Sequence, residues 1–196
     1  MVLAGVALGP PGGGPPQAKQ NAAMLTSRAI GECLYQYSVD HNGHYPEGKT
    51  ATEVFQQLID QKYVTDPELF YVGYIRIPGK MRPQGLRLKA ENVCFDVTCC
   101  VDGSSSDELP VVFLTGFKIY YKANAPAIHI GRFEPPIERT WSEWWNGRTD
   151  YQPRGIAVWY KNNNAMWKRA NEDGSIPNFI PADFDPKGKT YQQLTP

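Results

Sequence analysis

The sequence predicts an α+β fold: a long N-terminal α-helix and a second short helix packed on an antiparallel β-sheet. Three observations predict it. Ala23, Ile30, Leu34 and Tyr37 recur at three- and four-residue steps, with Cys33 beside Leu34, which is the spacing of one helix face. A helix-start spelling returns at Thr50-Ala51-Thr52-Glu53. From about Glu91 onward the pattern changes to short apolar or alternating runs separated by Asn, Gly and Ser turns. Helices first and antiparallel strands afterwards make an α+β chain with the helices on one face of the sheet.

The first helix is read over 17–40. At 1.5 Å per residue it would span roughly 36 Å, which is long for a small domain. Its docking stripe is Ile30, Cys33, Leu34 and Tyr37, leaving Lys19, Asn21, Arg28, Glu32 and Gln36 to other faces. Gly31 is the one glycine inside it. It costs about 1 kcal/mol relative to Ala, so a close packing neighbour is expected there. Asn42-Gly43 suits a left-handed helix end, and Pro46 prevents continuation. The second helix has Val54, Phe55, Leu58 and Ile59 as its apolar face, with Lys62 near its C-terminal end. Asp66-Pro67-Glu68 begins a turn, and residues 73–90 read as an irregular surface excursion.

Strands follow. Val93, Phe95 and Val97 alternate with Cys94, Asp96 and Thr98, the period of a strand with one buried face. After the polar loop Asp102–Glu108, Leu109–Lys122 reads as one long strand with Gly116 as its bulge. Ala127–Phe133 is a short third strand. Gly155–Lys161 and Ala165–Ala170 form the clearest hairpin, turned at Asn162-Asn163-Asn164.

The helix and the corner after it, Tyr35-x-Tyr37-x-x-Asp40-x-x-Gly43-x-Tyr45-Pro46, resemble type IV pilin-like proteins, and most closely the type II secretion pseudopilins. Gly174-Ser175-Ile176-Pro177-Asn178-Phe179 resembles the tail of some of these proteins. The resemblance covers about a third of the chain, through short and degenerate motifs. It implies a pilin-like globular domain over 17–196. It also implies a structural subunit of a pilus-like or secretion-pseudopilus filament. The partners would be other pilin or pseudopilin subunits. The full-length form would be anchored in the inner membrane by its N-terminal helix, periplasmic or at the surface of a bacterial envelope. Arg28, on the outer side of the helix, would then be a subunit contact.

The start departs from that family. Only Val2–Leu8 is apolar, and this run is far short of the ~20 residues a bilayer-spanning helix needs. Gly9–Pro16 follows, with four prolines that would break a helix at about 3 kcal/mol for each interior one. Residues 1–16 read as a flexible Gly/Pro-rich remnant of an anchor or linker, or as a leader remnant.

Composition narrows the function classes. A length of 196 residues suits one domain with a proper core. Twenty basic residues balance twenty acidic ones, which argues against nucleic acid as a partner. Seventeen prolines, eighteen glycines and 12% aromatic residues fit a loop-rich exported protein. Cys33, Cys94, Cys99 and Cys100 are candidates for a disulfide in an oxidising envelope, with connectivity left open by the sequence. No Cys/His spacing suits zinc, since His41, His44 and His129 stand apart from any cysteine pair.

No nucleophile elbow, P-loop, zinc-protease helix or dinucleotide fingerprint is spelled anywhere, so the expectation is a protein that is not an enzyme and needs no cofactor. The carboxylates of Asp173, Asp183 and Asp185 are weak candidates for calcium. They lack the alternation of an EF-hand loop, and solvated turns are the plainer reading. Trp141, Trp144 and Trp145 are the most conspicuous cluster. They would suit a cell-surface carbohydrate- or protein-binding module, a minor pilin or an adhesin, although tryptophans more often tuck into a core edge.

Overall fold

The structure is a computed structural model that describes residues 16–75, 77–130 and 155–196. Residues 1–15, most of the segment read above as a flexible Gly/Pro-rich stretch over 1–16, and the tryptophans at 141, 144 and 145 lie outside the described residues. Helix α1 (Pro16–Asp40) has the expected extent and buries Ala23, Ile30, Cys33, Leu34 and Tyr37. Gly43 N donates to Ser38 O at 2.7 Å, with Asn42 and Gly43 both at positive φ, so the left-handed helix end expected from Asn-Gly forms. One assignment changes. Lys19, expected on an open face, is only 7% exposed, and Thr26, Ser27 and Ser38 also join the inner side. Thr26 and Ser27 tolerate this because their hydroxyls donate to Ala22 O and Met24 O.

Helix α2 (Ala51–Asp60) is capped by the Thr50 hydroxyl, which accepts from Glu53 N at 3.2 Å. Glu53 returns its carboxylate to Lys49 N at 2.8 Å, one residue before the usual partner in a capping box. Phe55 stacks on Phe70 with ring centroids 4.6 Å apart. Phe70 ends a short 3₁₀ turn, Pro67–Phe70, capped by Asp66. The excursion over 73–90 is irregular as expected, yet it is not confined to the surface. Ile75 and Leu88 enter the core. Gln56 holds the returning chain by accepting from Leu88 N and donating to Leu86 O.

Five strands form the main antiparallel sheet: β1 (Phe95–Thr98), β2 (Pro110–Leu114), β5 (Gly155–Tyr160), β6 (Ala165–Arg169) and β7 (Gln193–Leu194), in the order β6-β5-β2-β1-β7. A separate pair is made by β3 (Phe117–Ile119) and β4 (Ala127–His129). The long strand expected over 109–122 is therefore two strands in two sheets. Gly116, at φ +101°, is the corner between them, and the register shift lies earlier, between Pro110 and Val112. The expected hairpin forms around Asn163 at positive φ, with Tyr160 N donating to Asn164 O.

The alternation expected in β1 is absent, because all four of its residues are buried and Cys94 beside it is buried too. Directly paired residues share a face. Val97, Val112 and Trp159 lie on the helix side, where α1 crosses β5, β6 and β2. Asp96, Phe113 and Val158 lie on the other side, and that side is also covered. Phe179 packs edge-on against Phe113 at 6.1 Å, and Tyr160 donates its hydroxyl to Phe179 O. Ile176 pairs with Ala127 beside the small sheet. Gln193 ties three strands together: its Nε2 donates to Asp96 Oδ2 at 2.6 Å and to Phe117 O, and its Oε1 accepts from Ile119 N. A buried core runs from Ala23 to Leu194 between these layers.

Candidate functional site

The face of α1 turned away from the sheet carries the site. Leu25, Arg28, Glu32, Tyr35 and Val39 step along the helix by three and four residues and fall within about 80° of arc at 3.6 residues per turn. Leu25 is 57% exposed, Tyr35 57% and Val39 56%. A single exposed leucine is ordinary. Three large apolar side chains aligned on one face, opposite a face already used for docking, form an exposed apolar stripe along the helix. Arg28 Nε and Glu32 Oε1 make an i,i+4 ion pair at 2.8 Å in the middle of the stripe. Exposed on both sides, that pair contributes only about 0.3–0.5 kcal/mol to the fold. Its groups thus remain suited to bonding a partner.

Sequence reasoning picked out Arg28 here and missed Leu25, Tyr35 and Val39. The signal was present in the seven-residue step from Leu25 to Glu32 to Val39 with Arg28 and Tyr35 between, a second stripe offset from the first. The end of the helix is pinned. Tyr37 stacks on His41 at 3.8 Å, and Tyr63 donates its hydroxyl to Asp40 at 2.8 Å. The site therefore rests on a braced rod.

The other candidate residues do not converge. All four cysteines are free thiols. Cys33 Sγ lies 3.7 Å from Tyr63 O, Cys94 Sγ accepts from Val72 N, and the sulfurs of Cys99 and Cys100 are 3.2 Å apart. Burial pushes the Cys33 and Cys94 thiols up to about 11. Asp173 caps its own turn through Ser175 N and Oγ, Asp185 caps Lys187 N, and Asp183 is exposed. Among the described residues no three His, Cys, Asp or Glu side chains come together to hold a metal ion. The polar loop 102–108 is a tether. Asp102 accepts from Ser104 N, Ser105 N and Lys189 Nζ, and the Lys189 ammonium holds its carboxyl well below the usual carboxylate range. No described helix is long and apolar enough to cross a membrane. Compared with family models, curated proteins and solved structures, the chain has no match.

Proposed function

We propose that this chain is a non-catalytic structural subunit of a bacterial type IV pilus-like or type II secretion pseudopilus filament. Its partners in this reading are other pilin or pseudopilin subunits, and its full-length form is anchored in the inner membrane. The observation that carries the reading is the two-sided use of α1. One face is committed to the sheet through Ile30, Leu34 and Tyr37, and the opposite face presents Leu25, Tyr35 and Val39 to the outside. A long helix with one face docked and one apolar face open suits a subunit that packs helix against helix. The resemblance of residues 17–46 to pilin-like proteins supports the same reading.

The test is assembly in cells of the full-length, membrane-anchored protein carrying Arg28→Glu or Tyr35→Glu. Both side chains are exposed, so the fold should keep its stability within about 1 kcal/mol, the lost Arg28–Glu32 pair and the new like-charge contact included, while filaments are lost. Normal filaments from both variants would remove this face as the assembly surface.

A further inference from the structure

We infer that Cys99 and Cys100 are an oxidative modification site: their thiols close to a vicinal disulfide when the protein meets a small-molecule disulfide. The two sulfurs are already 3.2 Å apart. A disulfide needs about 2.05 Å, so closure asks the sulfurs to approach by little more than 1 Å. The backbone is set for the contact. Cys99 N–H is held by Gln192 O at 2.9 Å, and Cys100 follows at φ +62°, which turns the chain out of β1 and brings the second sulfur back towards the first. Cys100 is exposed and Cys99 half-buried, so a reagent reaches Cys100 first. Cys33 and Cys94 are buried, each against backbone of its own surroundings, and serve as internal references.

The chemistry divides between the two sulfurs. The Cys100 thiolate attacks one sulfur of the small disulfide, forming a mixed disulfide and releasing one small thiolate. Cys99, as thiolate, then attacks Cys100 Sγ, forming the Cys99–Cys100 bond and expelling the second small thiolate. The two protons lost by the cysteines end on the two released thiols, so one external disulfide is reduced for each bond formed. Burial, followed by the hydrogen bond with Cys100, pushes the Cys99 thiol up to about 11, which keeps it protonated at neutral pH and slows its attack; the 3.2 Å approach of the two sulfurs, which makes the second step intramolecular, offsets this. The ring is strained. Adjacent Cα atoms are ~3.8 Å apart across a trans peptide, below the 4.4–6.8 Å of ordinary disulfides. Strained and exposed disulfides are the readily reduced ones. The site is therefore reversible, unlike a structural bridge.

The experiment treats the native full chain with oxidised glutathione, blocks remaining thiols and maps the peptides by mass. Wild type should lose two hydrogens within the peptide holding Cys99 and Cys100, and should carry little glutathione. Excess reduced glutathione should reverse the loss. Cys99→Ser, which removes the resolving thiol, should accumulate a glutathione adduct on Cys100 about tenfold above wild type, because the intramolecular step is gone. Either of two results would overturn the inference. One is a wild-type adduct on Cys100 as abundant as in Cys99→Ser. The other is a two-hydrogen loss that maps to Cys33 or Cys94. The wild-type peptide map reads the bond directly, so the inference stays testable even if Cys99→Ser folds poorly.

Discussion

Replacing Gly31 by alanine adds one methyl group to α1, and in an isolated helix it would stabilise by about 1 kcal/mol. Here it should do the opposite. A Cβ at Gly31 would lie 2.2 Å from Trp159 Cδ2, 2.4 Å from Cε2 and 2.5 Å from Cε3. Carbon atoms in contact normally sit about 3.5–4.0 Å apart, so the methyl group would enter the indole face itself. The ring has nowhere to retreat. It is buried in β5, and its Nε1 donates to Asn163 Oδ1 at 3.1 Å, which ties it to the hairpin turn. The helix must lift from the sheet by roughly 1 Å, and overpacking of this kind costs about 1–3 kcal/mol or more. With three ring carbons in conflict the upper end applies. After the helix-propensity gain is subtracted, the net loss is about 2 kcal/mol. Urea melts of the protein would read it directly, and a chain of this size should lose about 2–4 °C of Tm per kcal/mol. In a Trp159→Leu background the same substitution should cost little, giving a coupling above about 1 kcal/mol. Gly31→Ala melting at or above wild type would refute the close approach of α1 to β5.

Two further outcomes follow from the same packing. Leu34→Ala should cost about 2–5 kcal/mol because Leu34 is fully buried, while Arg28→Ala should change stability by no more than about 0.5 kcal/mol; equal urea midpoints for Leu34→Ala and wild type would remove the docked helix. Asp96 is 0% exposed, and burial pushes its carboxyl up to about 6, partly opposed by hydrogen bonds from Thr115 and Gln193. The folded state therefore holds this proton more tightly than the unfolded chain, so its contribution falls as pH rises from about 4 through 6. Asp96→Asn should be close to neutral at pH 4 and stabilising at pH 8, by an amount on the order of 3 kcal/mol. Parallel melts at the two pH values check this, and the same effect at both would contradict it.

The helices were legible because their signals are local. The stripe through Ile30 and Leu34, the Thr50 cap and the Asn42-Gly43 stop each depend on a few neighbouring residues. Even Gly31 announced its neighbour, although only the folded chain shows that the neighbour is Trp159, far along the sequence. The sheet was less legible. Asp96 and Thr98 looked solvent-facing because they are polar. They are buried because two other segments of the chain supply Gln193 to Asp96 and Tyr121 to Thr98 as hydrogen-bond partners, and nothing near Asp96 in sequence says so. Gly116 was read as a bulge and is instead a corner, because whether a glycine bulges a strand or ends it depends on which sheet the next residues join. The outer stripe of α1 was hidden by its own ambiguity. Leu25, Tyr35 and Val39 are apolar residues that a sequence reading assigns to no face until the sheet has claimed the other one.

The central claim is that the outward stripe of α1 meets a neighbouring subunit. The most direct measurement places a photo-activated cross-linking side chain at position 35 of the full-length protein in cells, with the exposed Lys122 position as reference. The account predicts covalent ladders with pilin-like subunits from position 35 and markedly fewer from position 122. Cross-linking from position 35 no greater than from position 122, in cells that still form filaments, would contradict it.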